Sequence, residues 1–93
     1  MRFVYALYSS EEDRFYIGFT SDIERRANEH EAGTNHTTSR MKEPRLVYYE
    51  CFENEGDARR REGYLKTSAG KKGLRLILRE TISKKLACPV APH

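Results

Sequence analysis

The chain of 93 residues holds two cysteines, three prolines and no tryptophan. Cys51 and Cys88 supply neither a disulfide framework nor a repeated metal-ligand spacing. A reducing, intracellular setting is the simpler reading, and the cytoplasm is the expected location. Met1 leads straight into the alternating run Phe3-Val4-Tyr5-Ala6-Leu7, without the basic start and long apolar core of a signal peptide. No stretch approaches the length needed to span a bilayer, so no membrane partner is expected. Leu, Ile, Val and Phe are sparse, yet they cluster in short periodic runs, which favours a folded chain over a disordered one. The length allows one modest core. Residues 1–86 are expected to form a single domain. Residues 87–93, with Pro89 and Pro92, should be a loose tail.

What is present in excess is positive charge. Lys and Arg number 17 against 14 Asp and Glu, and the pI is near 9.0. Such an excess fits a polyanionic partner without establishing one, because it serves solubility equally well.

Residues 2–8 and 14–19 are aromatic and β-branched, and Ser9-Ser10-Glu11-Glu12-Asp13 between them predicts a hairpin. Gly18 interrupts the second strand, where a missing side chain permits a bulge or a close approach. A helix should begin at Asp22, capped by Ser21 with Glu24 completing a capping box, and stop before Gly33. Thr34–Lys42 reads as a polar loop. Residues 45–52, around Leu46-Val47-Tyr48-Tyr49, carry the strongest strand signal. Asn54 and Asp57 offer a second cap and box for a helix from 55. Ala58, Glu62 and Leu65 then recur on one helical face. Gly70-Lys71-Lys72-Gly73 reads as a break, followed by a last helix from 71 with Leu74, Ile77, Leu78 and Ile82 inward. The fold class is therefore α/β of the α+β type. A small three-stranded antiparallel sheet is flanked by helices in the order β-β-α-β-α-α.

Within that frame a few side chains could do phosphate chemistry. Arg26 and His30, four apart on a helix, share a face. Arg26 offers a planar fork of donors that never loses its charge, and His30 titrates near neutrality. A solvated Arg25-Arg26 face and an ordinary surface histidine are the plain alternatives. Tyr5 and Tyr16, on neighbouring strands, could position a water or act as a base beside a cation, or could be ordinary strand residues. Glu62 sits on an apolar stripe, where a carboxylate needs a partner. Arg26, a lysine or a hard cation such as Mg²⁺ would each satisfy it. Arg59-Arg60-Arg61 is a solvated face or a track for a nucleic-acid backbone. Lys66, Lys71 and Lys72 could extend that track, with Arg25 near the helix start.

Together these motifs resemble the GIY-YIG nuclease superfamily, in its short stand-alone bacterial branch, UPF0213-like and related to the N-terminal nuclease domain of excinuclease C. Val4-Tyr5 matches the first motif, with Phe3 where the name-giving glycine usually stands, and Tyr16-Ile17-Gly18 matches the second. Asp22-Ile23-Glu24-Arg25-Arg26 with His30 matches the first helix. Ala58–Lys66 matches the helix bearing the metal-binding glutamate. The likeness covers roughly residues 2 to 80. It implies a DNA endonuclease with catalytic residues Tyr5, Tyr16, Arg26, His30 and Glu62, and one divalent metal, Mg²⁺ or Mn²⁺, on Glu62. Tyr5 would be the base, directly or through His30, and Tyr16 would orient the water or a phosphate. Arg25, Arg59, Arg60, Lys66, Lys71 and Lys72 would hold the nucleic acid. Relatives act in excision repair, homing, restriction and resolution of branched DNA, using added targeting domains. Here targeting is left to the catalytic module, the loop 34–42 or a protein partner. The expected substrates are distorted DNAs, whether branched, nicked or single-stranded, and RNA is also allowed. The rival reading is a non-catalytic nucleic-acid-binding module on the same scaffold.

Overall fold

The computed structural model describes residues 1–31 and 44–87, with side chains over 1–29 and 44–83. The expected loop Thr34–Lys42, the tail beyond residue 87 and the side chain of His30 lie outside the described residues.

The hairpin forms where alternation predicts it. Arg2–Ser9 (β1) and Arg14–Thr20 (β2) pair antiparallel, from Phe3 opposite Thr20 to Ser9 opposite Arg14. Asp13 closes the turn with φ of 53°, a left-handed conformation that Asp tolerates better than most residues. Its carboxylate accepts hydrogen bonds from the Tyr8 hydroxyl and from Arg75, which holds the turn in place. Pro44–Phe52 (β3) pairs with the other edge of β1, so the sheet order is β2-β1-β3.

One irregularity decides which residues of β3 face which way. Ala6 lies opposite Tyr48 but Leu7 lies opposite Leu46, leaving Val47 as the extra residue of a bulge. Val47 and Tyr48 can then both pack on the core, while Leu46 and Tyr49 line one cleft on the opposite face.

Successive strand residues point to alternate faces. On one face Val4, Ala6 and Tyr8 join Phe15, Ile17 and Phe19. They are covered by Ala58 and Leu65 of α2 (Glu55–Leu65) and by Leu74 of α3 (Ser68–Ile77). On the other face α1 (Ile23–Glu31) sets Ile23 and Ala27 beside Phe3, Leu46 and Tyr49. Glu50 of β3 is gripped from α2 by Arg61, through Nε at 2.9 Å and a second nitrogen at 3.0 Å. Burial pushes the Glu50 carboxyl up. The Arg61 fork and the Tyr48 hydroxyl outweigh that and hold it below the usual carboxylate range.

Three sequence expectations need correction. The cap of α1 is Asp22, not Ser21: its Oδ1 accepts from the Arg25 amide at 3.1 Å, and its own amide donates to Thr20 Oγ1 at 3.1 Å. Aspartate caps as well as serine does, and Thr20 fixes it in place, so the start moves by one residue. The expected cap Asn54 on α2 is present, accepting from the amides of Gly56 and Asp57 at 2.7 and 3.3 Å.

The second correction is that Gly70–Gly73 does not break a helix. Thr67 caps α3, accepting from the Gly70 amide at 3.1 Å, and the helix runs through both glycines. A Cβ at Gly70 would lie 2.2 Å from the Tyr64 carbonyl oxygen and 2.6 Å from Leu65 Cα. Gly70 is thus the point where α3 crosses the end of α2.

The third concerns the C-terminal helix, which is interrupted at Leu78 (φ −105°, ψ 23°) and followed by α4 (Arg79–Ala87). Among the described residues the order is β-β-α-β-α-α-α, one helix more than expected. Leu74 is buried, and Leu78 and Ile82 pack on the core. Ile77 is 58% exposed, because the inward row runs Leu74, Leu78, Ile82 at four-residue spacing and Ile77 lies one residue off it.

Candidate active site

The candidate site starts from a pairing across the hairpin. Gly18 lies opposite Tyr5, and the Tyr5 ring occupies the space where a side chain at 18 would project. A Cβ there would stand 2.3 Å from both Cζ and the hydroxyl oxygen of Tyr5. Of the two roles open to Gly18, close approach is the one realised, and it lays Tyr5 across β2.

Around that phenol the chain gathers charge from three elements. Tyr5 is 3% exposed. Burial pushes its hydroxyl up to about 12 from an ordinary 10.0; the Arg26 cation pulls it down, while Tyr16, Glu62 and Glu29 push it further up. Tyr16 comes from β2, Arg26 and Glu29 from α1, and Glu62 from α2. Four of the five expected residues are thus linked electrostatically: Tyr16, Arg26 and Glu62 each act on the Tyr5 hydroxyl. His30 follows Arg26 by one turn of α1, with its side chain outside the described residues.

A neutral phenol is what such a pKa leaves at physiological pH. The linkage follows: the fold is unaffected by Tyr5 below pH 10 and loses stability as pH rises from 10 towards 12, since the unfolded chain gives up that proton first. Tyr8 and Tyr48 are also raised, chiefly by burial, and act in the same direction. Denaturant midpoints of the parent should fall over this window, and Tyr5→Phe should make the fall shallower. Identical slopes for the two proteins would count against it.

Arg26 combines exposure with constraint. One terminal nitrogen lies 3.6 Å from Glu29, which also takes Arg25 at 3.1 Å. Its Nε is buried and, among the described residues, has no hydrogen-bond partner. An unmade hydrogen bond of this kind costs about 1–3 kcal/mol, so an acceptor arriving there is favoured. Arg26 also lines a cleft of about 230 Å³ with Phe19, Thr20, Ser21, Asp22 and Arg25. Tyr5, Tyr16 and Glu62 are not in its walls, so the cleft and the Tyr5 cluster meet at Arg26.

Glu62 follows Ala58 by one turn, as the helical stripe requires, and its side chain is 16% exposed. Its partner is Lys66 at 3.1 Å, one of the partners open to it on sequence grounds. Among the described residues no three His, Cys, Asp or Glu side chains converge as a metal cage. One carboxylate fits Mg²⁺ that keeps most of its waters and takes further oxygens from a substrate phosphate. It does not fit a tightly held resident ion.

The cations expected to hold nucleic acid divide into two groups. Arg25, Arg59, Arg60 and Lys66 each pair with an acid one turn away, at 3.1, 3.2, 2.7 and 3.1 Å. Exposed pairs of this kind are worth about 0.3–0.5 kcal/mol and exchange readily for phosphate. Arg59 also lies 4.0 Å over the Phe19 ring. Arg61 is taken up by Glu50 and leaves the track. Lys71 and Lys72 line a separate cleft with Arg14 and Arg75. Sequence reasoning missed Glu29, although its spacing from Arg25 and Arg26 signals an ion pair. It also missed Arg14, which carries no periodic signal.

Comparison with known proteins bears on the family and the fold. The profile of the GIY-YIG catalytic domain matches residues 1–75. A UPF0213 protein of Clostridium perfringens is 35% identical over 90% of this chain and 90% of its own. One from Haloquadratum walsbyi is 39% identical over 70% of this chain and 73% of its own. The solution NMR structure of a UPF0213 protein from Bacillus halodurans superposes with a TM-score of 0.54 at 26% identity, covering 99% of this chain and 100% of that one. No helix among the described residues is long and apolar enough to cross a membrane.

Proposed function

The chain belongs to the GIY-YIG catalytic-domain family, an endonuclease superfamily, and from that premise we propose that it hydrolyses DNA phosphodiesters in a metal-dependent reaction. The observation that carries this reading is the buried, unpartnered Nε of Arg26, a cation that acts together with Glu62 on the Tyr5 hydroxyl. A guanidinium held in that way is poised for an anionic oxygen, and a phosphodiester brings two of them.

In this scheme Arg26 forks onto the non-bridging oxygens and offsets the charge that grows on them as water attacks. Tyr5, uncharged at neutral pH, holds the attacking water by hydrogen bonding, and Tyr16 orients that water or the phosphate. The raised pKa of about 12 already includes the pull of Arg26, so Tyr5 acts here as a neutral hydrogen-bonding group rather than as the base. His30, one turn beyond Arg26, is the alternative proton acceptor. Glu62, now paired with Lys66, would be the residue to hold Mg²⁺ or Mn²⁺, and the ion would supply positive charge for the transition state. In-line attack leaves 5′-phosphate and 3′-hydroxyl ends. Residues 1–86 act as one catalytic unit, and targeting comes from DNA distortion or a protein partner.

The test is incubation of the purified chain with labelled single-stranded, duplex, nicked, flap and junction DNAs. Mg²⁺, Mn²⁺ and chelator arms are run beside Glu62→Ala as the contamination control. Cutting that needs metal, prefers distorted substrates and vanishes in Glu62→Ala is the expected result. DNA binding without metal-dependent cutting of any substrate would instead favour a binding module.

A further inference from the structure

Away from the Tyr5 cluster, the hairpin turn and the first turns of α3 enclose a cleft of about 400 Å³, lined by Asp13, Arg14, Phe15, Ser68, Lys71, Lys72 and Arg75. Four of these residues are cations and one is an acid. The net three positive charges of this cleft equal the formal excess of the entire chain.

The walls are also fixed in place. Arg75 donates to Asp13 through both its carboxylate, at 3.0 Å, and its carbonyl, at 2.8 Å, joining residues 62 apart in sequence. Tyr8 donates to the same carboxylate from below. Asp13 is thereby engaged, and its charge is met by Arg75. The contact recorded for Arg14 is Glu12 at 3.5 Å, with the Arg14 side chain 69% exposed. No salt bridge to Lys71 or Lys72 is recorded among the described residues. Arg14, Lys71 and Lys72 thus line the cleft beside a braced floor, an arrangement suited to a chain of phosphates rather than to one buried ion.

Its position relative to the candidate centre suggests how it is used. Arg14 and Tyr16 are two strand residues apart on β2, about 7 Å along the strand, on the face opposite α3, and because β2 is a sheet edge a backbone passing Tyr16 reaches the cleft around that edge. That spacing corresponds to roughly two nucleotides of duplex axis, at about 3.4 Å per phosphate on one strand. We propose that the Arg14–Lys71–Lys72 cleft seats the phosphate backbone of the DNA flanking the scissile bond, independently of metal and of base sequence. The proposal rests on the nuclease reading above and gives the bound DNA its direction, along the β2 edge from Tyr16 towards α3.

The experiment is DNA binding by the full chain in chelator, measured across a salt series on single-stranded and duplex DNA. Each phosphate contact contributes about 0.9 to the slope of log affinity against log salt on duplex and about 0.7 on single strands. Arg14→Gln/Lys71→Gln/Lys72→Gln should lower the slope by about two to three, and weaken binding equally for unrelated sequences. Arg45→Gln/Arg79→Gln, removing charge elsewhere, should change it by less than one. Arg14→Lys/Lys71→Arg/Lys72→Arg should keep the parental slope, and thermal melting verifies the fold of each variant. A triple glutamine variant with the parental slope overturns the cleft while leaving the nuclease reading intact if the parent still cuts DNA. A parent that binds no DNA overturns both. Displacement of DNA by polyglutamate as effectively, charge for charge, as by competitor DNA would also overturn the assignment.

Discussion

Replacing Arg26 by Met is expected to slow metal-dependent cleavage by about 10²–10³-fold, the usual effect of removing one donor aimed at developing charge. The fold should survive, and the direction of the stability change distinguishes this from a structural role. The Arg26 Nε is buried without a hydrogen-bond partner among the described residues. Met fills similar volume and carries no donor, so the denaturant midpoint should hold or rise. Glu62→Gln should lose cleavage on a similar scale while keeping the packing of the α2 stripe. Its i, i+4 helical pair with Lys66 is worth only about 0.3–0.5 kcal/mol, and Gln keeps the shape of the side chain, so stability should barely move. Activity lost together with stability would reduce both residues to scaffold. Activity retained in both variants would remove them from the mechanism.

The contrast between these two variants explains which parts of the site can be read from sequence. Ala58, Glu62 and Leu65 were legible because a carboxylate on an apolar helical stripe is a local conflict, visible at a spacing of three or four residues. The strands were legible for a similar reason: alternation survives in Val4, Ala6 and Tyr8, whose buried face the structure reproduces. Non-local geometry was not legible. The bulge at Val47 depends on how β3 meets β1, and a run of Leu-Val-Tyr-Tyr contains no mark of it. Gly70 looked like a helix breaker because glycine lowers helix propensity. In the fold its bare Cα is what α2 and α3 require of each other. The cleft at Arg14 joins residues from the hairpin and α3, which meet through the Asp13–Arg75 contact and through Arg75 over the Phe15 ring, and neither is visible in the sequence. Family likeness supplied Arg26 and Tyr5 as a pair, but not Glu29, which sits between the two arginines electrostatically.

Gly18→Ala should couple the fold to the site more directly than any charged substitution. The new methyl would meet the Tyr5 ring at 2.3 Å, inside any allowed contact, in a strand paired on its inner side with β1. The backbone of β2 is held by its register from Arg14 to Thr20, so the phenol is the part that gives way. Overpacking of this kind costs about 1–3 kcal/mol. Turning the ring aside also carries the hydroxyl away from Arg26, Tyr16 and Glu62, so cleavage should fall more than the stability loss accounts for. A double-mutant cycle separates the two effects. In a Tyr5→Ala background the ring is absent, and Gly18→Ala should cost little, giving a coupling of at least about 1 kcal/mol between residues in contact. Phe at position 5 keeps Cζ in the same place and should not relieve the clash, because the ring and not only the hydroxyl fills the space. Equal destabilisation by Gly18→Ala in the parent and in Tyr5→Ala would show that Gly18 serves the strand alone. The second tyrosine motif would then owe its glycine to something other than the first.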